Sequence, residues 1–247
     1  QHITSSGTGM NSIAWGFQTL ASGAYSHAEG GLTTASGTTS HAEGVNTLAG
    51  GIGSHAEGTN TIASGNYSHA EGRFTRASGD YSHAEGGYTT ASGNYCHAEG
   101  YYTTATTLSH TEGQFTLANA ITSHAEGTNT TASGSYSHAE GTGSVASGTA
   151  SHAEGDNTKA IGDYSHSEGG GTFASGRWSH AGGRTSTVSG DTSFIHSANS
   201  LVIAHRSVVL GGQNITGTTD DTVYVPNLNV GTVGTGTSVN NLGIDIS

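Results

Sequence analysis

Charged residues are scarce in this chain of 247 residues. They make up 10% of it, and 6 lysines and arginines stand against 18 aspartates and glutamates. Nucleic acids and anionic membrane surfaces attract proteins through clustered Lys and Arg. Arg73 and Arg76 are the nearest approach to such a cluster, so we expect neither partner.

Cysteine, proline and long apolar runs are also rare. Cys96 is the single cysteine, which excludes a disulfide framework within the chain. No apolar run approaches the roughly 20 residues of a membrane-spanning helix, so no membrane insertion is expected in this segment. A hydrophobic content of 32% with 41 glycines would suit disorder, but the glycines recur at a fixed spacing.

The pentad Ser-His-Ala-Glu-Gly dominates the sequence. Complete copies begin at Ser26, Ser40, Ser54, Ser68, Ser82, Ser123, Ser137 and Ser151, and variants begin at Cys96, Ser109, Ser165 and Ser179. Each copy begins fourteen positions after the one before it, except that Ser109 follows Cys96 by thirteen. A short period held through most of a chain is typical of a solenoid.

Each unit follows the pattern S-H-A-E-G-x-x-T-x-A-S-G-x-x. Two alternating runs separated by glycine corners predict two β-strands per coil. Alternation places Ser and Ala on one face of the first strand and His and Glu on the other. So short a coil leaves a lumen only for Ala, Ser and Thr, and we place the Cys96 thiol there too. We therefore predict an all-β, parallel β-roll with His and Glu outside.

The two outward faces differ in their regularity. The second strand presents a mixture such as Leu20, Thr34, Ile62 and Arg76, whereas the first presents His and Glu almost throughout. A uniform face indicates a constant partner, and a thin roll buries too little apolar area to offset its chain entropy alone. We predict a homotrimer whose axis is lined by His27, Glu29, His41, Glu43, His55, Glu57, His69, Glu71, His83, Glu85, His97, Glu99, His110, Glu112, His124, Glu126, His138, Glu140, His152, Glu154, His166, Glu168 and His180.

Stacked glutamates about 4.8 Å apart repel one another, so the histidines must compensate. They could do so as charged partners or through neutral hydrogen bonds. Charged partners would have a raised pKa, and their stabilisation would be full below about pH 6.5 and fade as the pH rises. Zn²⁺ or Ni²⁺ held by three histidines per ring is an alternative. A dozen tandem metal sites would be unusual, so we predict no metal and no other cofactor.

Catalysis is not indicated by the same residues. Ser and His are adjacent in every pentad and therefore point to opposite faces of the strand, which prevents a catalytic triad. The glutamates are repeated equally, so no carboxylate pair is singled out for glycoside hydrolysis. We predict a protein that is not an enzyme.

Apolar residues interrupt the pattern in three places. Ile13 and Trp15 occupy the His and Glu places of the first coil, and Val208 and Leu210 occupy them near the end, so we predict that these four close the trimer axis. At the seventh place of the unit, Phe74, Tyr88, Tyr102 and Phe115 form a possible surface patch. The short unit beside them is expected to make the roll bulge.

The unit resembles the head repeat of trimeric autotransporter adhesins, the YadA-like left-handed parallel β-roll. That repeat reads Asn-Ser-Val-Ala-Ile-Gly followed by Ser-x-Ala-x-Gly, and residues 11–16, Asn-Ser-Ile-Ala-Trp-Gly, nearly match it. The resemblance covers about residues 10–211 and implies a trimer of left-handed rolls. The Val and Ile places of the family's interface hold His and Glu here, which implies a more polar axis.

We divide the chain into a lead-in (1–11), the β-roll (12–211), a closing β segment (212–230), and a flexible tail or the start of a truncated downstream domain (231–247). The predicted function is that of an extracellular, structural and adhesive fibre segment. Because 212–230 looks like the shaft ends of tailed-phage fibres, a phage tail fibre is preferred. A bacterial adhesin head is the alternative, and a polysaccharide-degrading tailspike is a more distant one. A cell-surface glycan or protein is the expected receptor.

Overall fold

The computed structural model describes residues 6–226, and every regular element in that range is a β-strand. Long and short strands alternate along the chain, and each pairs in parallel with its equivalents one coil before and one coil after. Two sheets of 16 strands result. The predicted all-β parallel solenoid is confirmed. The described part of the chain contains no helix of the length and apolarity needed to cross a bilayer.

Fourteen strands of one sheet have five residues each, and every strand of the other has two. The sheet of long strands contains Ile13–Phe17, His27–Gly31, His41–Val45, His55–Thr59, His69–Arg73, His83–Gly87, His97–Tyr101, His110–Gln114, His124–Thr128, His138–Thr142, His152–Asp156, His166–Gly170, His180–Arg184, Phe194–Ala198, Val208–Gln213 and Val223–Tyr224. The sheet of short strands contains Ser6–Gly7, Leu20–Ala21, Thr34–Ala35, Leu48–Ala49, Ile62–Ala63, Arg76–Ala77, Thr90–Ala91, Thr104–Ala105, Leu117–Ala118, Thr131–Ala132, Val145–Ala146, Lys159–Ala160, Phe173–Ala174, Thr187–Val188, Leu201–Val202 and Thr216–Gly217.

Identical residues stack on one another because the coils are in register. His69 pairs with His83, and the following Ala and Glu pair with the Ala and Glu of the next coil. The sheets each contain 16 strands, one from every coil. At a spacing of about 4.8 Å between strands, the roll is about 70 Å long. Each outward-pointing side chain therefore lies in a column formed by the equivalent side chains of successive coils.

Small residues fill the lumen as predicted. The pentad alanines are fully buried, and between Thr19 and Ser207 the serines and threonines of the inward places are at most 3% exposed. The serine has a further role that the alternation did not reveal. In Ser26 the hydroxyl donates a hydrogen bond to the carbonyl of Gly23, 2.7 Å away, and Ser40 and Ser68 do the same with Gly37 and Gly65. The pentad serine thus holds the corner that precedes its strand in these coils and in those of Ser54, Ser82 and Ser179, whereas the hydroxyls of Ser137, Ser151 and Ser165 have no hydrogen-bond partner among the described residues.

The lumen holds larger side chains near the C-terminal end, contrary to the expectation of Ala, Ser and Thr throughout. Val188, Ile195, Val202 and Val209 are fully buried there and pack together in one cluster. These larger side chains occupy inward places of successive coils. A bulky inward residue is accommodated where its neighbours are bulky as well.

The short coil keeps its place in the stack. His97 pairs with His110 and Tyr101 pairs with Gln114, so the shorter step does not shift the register. The corner at 106–108 is one residue shorter than the equivalent corner of other coils. In it Thr106 N–H donates to Ser109 Oγ at 2.9 Å. The columns of the long strands therefore run on past this coil, where the sequence had suggested a bulge.

The roll extends on both sides of residues 12–211. Ser6–Gly7 pairs with Leu20–Ala21, and Thr216–Gly217 and Val223–Tyr224 pair with the strands of the preceding coil. A shift of register lies between His196 and Ala198. Part of the predicted lead-in and part of the predicted closing segment are thus coils of the roll. The predicted tail, 231–247, lies outside the described residues.

Candidate functional site: the His–Glu face

The long strands place every pentad His and Glu on the outer surface of the roll. Within His69–Arg73, Ala70 is fully buried, whereas the side chains of His69 and Glu71 are 38% and 47% exposed. The same alternation holds in each coil from His27 to His166. We call the continuous surface formed by these side chains, with His180 at its end, the His–Glu face.

The imidazole rings form a single stacked column. From His27 to His166 the ring centroids of successive coils are 4.6–4.9 Å apart and the ring planes differ by 1–20°. The column changes at His180, whose ring is nearly perpendicular to that of His166 and stacks on Phe194. A column this regular fixes the orientation of each imidazole, since each ring is held by the two beside it.

The glutamates are arranged differently in the two halves of the face. From His27 to Glu112, each carboxylate lies 3.7–4.0 Å from the His Nε2 of its own coil. From Glu126 onwards the carboxylate lies near the imidazole of the next coil, as between Glu126 and His138 (3.6 Å) and between Glu154 and His166 (3.1 Å). The side chains of these later glutamates are 30–34% exposed, against 44–52% for the earlier ones.

A groove of about 680 Å³ runs beside the later glutamates. It is lined by Glu112, Glu126, Gly127, Glu140, Gly141, Glu154, Gly155, Glu168 and Gly169. Five carboxylates in one groove create a negative potential that attracts cations.

Many imidazole nitrogens of the face have no hydrogen-bond partner within the described chain. The Nε2 atoms of nine of these histidines are inaccessible to solvent and make no hydrogen bond in the described structure: His41, His55, His69, His83, His97, His110, His124, His138 and His152. Buried polar atoms are normally hydrogen-bonded. The polar groups nearest to them are glutamate carboxylates of the same face, 3.6–4.0 Å away and just beyond hydrogen-bond distance.

Eight histidines of the face have a pKa shifted in the direction opposite to that expected for charged partners. For His41, His55, His69 and His83 the pKa lies below its ordinary value, chiefly because burial of the ring disfavours the charged form and next because the stacked neighbouring imidazole repels it. The nearby glutamates act the other way and do not overcome these two effects. The pKa of His110, His124, His152 and His180 is lowered too, again mainly by burial.

Acid should therefore destabilise the roll. The unfolded chain, with an ordinary histidine pKa of about 6.5, binds protons more readily than the folded column of His41, His55, His69 and His83. Stability is then full above about pH 6.5 and declines as the pH falls through the lower folded values. We expect the melting temperature, measured by circular dichroism between pH 8 and pH 5, to fall towards pH 5. A melting temperature that rises towards pH 5 would contradict this.

The four predicted end residues lie on the same surface. Ile13 pairs with His27 and Trp15 with Glu29, and their side chains are 61% and 72% exposed in the single chain. At the other end Val208 is half-buried and Leu210 is exposed, in register with Phe194 and His196. Both ends of the His–Glu face therefore present apolar surface that nothing in the described chain covers.

The predicted aromatic patch is a second column at a corner of the roll. The rings of Phe74, Tyr88, Tyr102 and Phe115 stack with centroids 4.8, 4.5 and 5.4 Å apart. Each of the four adopts a left-handed backbone with φ of 55–59°, which is costly for bulky residues. Ring stacking offsets part of that cost, so the column has a structural role whether or not it binds a partner.

Comparison with known families supports the repeat architecture. A sequence profile described as the YadA head domain repeat (2 copies) matches residues 42–68, 56–82, 125–151 and 139–165. Within each pair of matches, the second begins one coil after the first, so the profile and the solenoid share the same period. A search of curated proteins gave no match. The repeat period, the two parallel sheets and these matches together support a YadA-like β-roll repeat.

Proposed function

We propose that this chain is a head segment of an extracellular, homotrimeric adhesive fibre, in which the His–Glu face of each roll lines the trimer axis. The YadA head repeat is a structural module of adhesins, and this supports an adhesive rod. An adhesin of the trimeric autotransporter type is therefore the reading we favour. A glycan or protein on another cell surface is its expected receptor.

The exposure of Trp15 carries this proposal. Trp15 and Ile13 are large apolar side chains more than half exposed, and they stand in the columns that become His and Glu in the next coil. Exposed apolar side chains of this size mark interaction sites. Two further copies of the chain, arranged around a three-fold axis, would cover these side chains and would extend along the whole His–Glu face.

The phage tail fibre reading depended on residues 212–230. Thr216–Gly217 and Val223–Tyr224 in that segment pair as further coils of the same roll, and 227–230 lie outside the described residues. The segment therefore no longer distinguishes a phage fibre from the rest of the solenoid. The family match falls on the repeats themselves.

The mass in solution tests the assembly. Light scattering coupled to size exclusion should give three times the mass of the chain. Replacing His83 and His97 together by Asp adds six carboxylates around a three-fold axis, so like-charge repulsion should shift the population towards single chains. A matched control replaces Thr90 and Thr104 by Asp on the opposite outer face of the same coils, and it should remain trimeric. A wild-type mass of one chain would overturn the proposed axis.

Adhesion is tested separately. Fluorescently labelled wild-type rod should bind to cells or to immobilised glycans. The variant with Asp in place of Thr90 and Thr104 tests whether the outer face of the short strands takes part in that binding. If trimers form but no tested surface is bound, the trimer axis stands and the adhesive role does not.

A further inference from the structure

One point on the His–Glu face departs from the repeat. In the coil that begins at Ser179 the Glu place is occupied by Gly182, and in the next coil it is occupied by His196. Gly182 pairs directly with His196, so the repeating carboxylate is replaced by an opening with an imidazole beside it. The last glutamate of the column, Glu168, lies on the other side of that opening.

Three potential ligands converge on the space above Gly182. Glu168 Oε1 lies 3.2 Å from His180 Nε2 and 3.5 Å from His196 Nδ1. A Cβ atom added to Gly182 would lie 2.6 Å from His196 Nδ1, 3.0 Å from Glu168 Oε1 and 3.2 Å from His180 Nε2. The absence of a side chain at position 182 is therefore what allows the three groups to approach one another.

These separations suit a common metal ion. Two ligands held tetrahedrally at 2.0–2.1 Å from a zinc ion are about 3.4 Å apart, which is close to both distances from Glu168. All three ligand atoms lie within 4.8 Å of one another. Two imidazoles and one carboxylate are a donor set that divalent transition metals accept readily.

The surroundings favour a cation as well. Glu168 lies at the end of the groove lined by Glu112, Glu126, Glu140 and Glu154, which concentrates positive ions near the site. The other His and Glu groups of the later coils are less suitable. His138 and His152 each belong to two adjacent groups. In the first of these groups Glu126 lies 3.9 Å from His124 and 3.6 Å from His138.

We propose that Glu168, His180 and His196 bind one divalent transition-metal ion per chain in the opening left by Gly182. The ion would link three successive coils where the regular imidazole column ends. Because all three ligands belong to one chain, the site does not depend on the proposed trimer.

Calorimetric titration of the metal-free full chain with Zn²⁺ tests the site, and Co²⁺ absorption reports the ligand geometry. We expect one tight site per chain. Both His196→Ala and Gly182→Ala should weaken it by about tenfold or more, since even the loss of a group that only orients a metal ligand has an effect of that size. Gly182→Ala is informative because φ at Gly182 is not in the left-handed region and other coils carry a larger residue there.

The matched control is His138→Ala, which removes an imidazole from the repeating part of the column. It should leave the tight site intact. Circular dichroism of each variant checks that the roll is folded. Absence of tight binding, tight binding unchanged in His196→Ala, or loss of the tight site in His138→Ala would each overturn the proposal. Light scattering on the same samples reports the oligomeric state independently.

Discussion

Replacing Gly72 by Ala should unfold or severely loosen the middle of the roll. Gly72 has φ of +113° and closes the pentad. A Cβ atom there would lie 2.1 Å from the carbonyl oxygen of Gly86 in the next coil. Backbone cannot move aside without breaking the pairing between coils, and the φ value itself is strained for any other residue. We expect a loss of about 3 kcal/mol or more in the free energy of unfolding, measured by denaturant titration.

Gly170 provides the matched control for that substitution. It lies at the end of His166–Gly170, its φ is outside the left-handed region, and a Cβ atom would meet nothing within 4 Å. Gly170→Ala should therefore change stability by less than about 0.5 kcal/mol. Equal losses in the two variants would show that glycine acts here through general chain flexibility and not through the close approach of coils.

A second large effect is expected in the lumen. Ala84 is fully buried, pairs with Ala70 and Ala98 in the neighbouring coils, and belongs to a cluster made almost entirely of alanine. In Ala84→Leu, three additional carbon atoms must enter a space that small neighbours on every side have closed. We expect the free energy of unfolding to fall by about 2–3 kcal/mol, with a parallel drop in melting temperature.

Thr90→Leu is the control for overpacking. Thr90 lies on the outer face of the short strand in the coil of Ala84, and Leu48 and Leu117 occupy the same place in other coils. This variant should be as stable as wild type within about 0.5 kcal/mol. If Ala84→Leu were equally harmless, the lumen would have to widen locally without help from its neighbours. The cluster around Ile195 indicates the contrary, because Ile195 lies among Val188, Val202 and Val209.

The sequence was sufficient to predict the two-stranded coil and to predict which side chains of each strand point inward and which point outward. Strand alternation with a fixed period places Ala70 inside and His69 and Glu71 outside, and no other information is needed. The hydrogen bond from Ser26 to Gly23 was missed because alternation says which way a hydroxyl points and not which carbonyl it reaches. The coils before residue 12 and after residue 211 were missed because their pentads have degenerated.

The sign of the histidine pKa shift could not be obtained by counting charges. Glu43 and Glu57 beside His41 suggested a raised pKa, yet burial of the ring and the stacked imidazoles outweigh them. Both of these terms depend on how closely the coils approach and on how the rings lie, which only coordinates supply. The space above Gly182 was missed for a similar reason. In the sequence it is one degenerate pentad, and in the structure it is a gap between Glu168 and His196.

Exact stacking of equivalent coils also bears on how such a rod changes during evolution. Because His55 pairs with His41 and His69 through the same contacts, removal of residues 55–68 would join two surfaces that already match. Recombination between repeats in the gene can thus add or subtract whole coils, each altering the reach by about 4.8 Å, without a new packing problem. The short coil between Cys96 and Ser109 and the opening at Gly182 occur once each, so they act as fixed landmarks within an otherwise adjustable length.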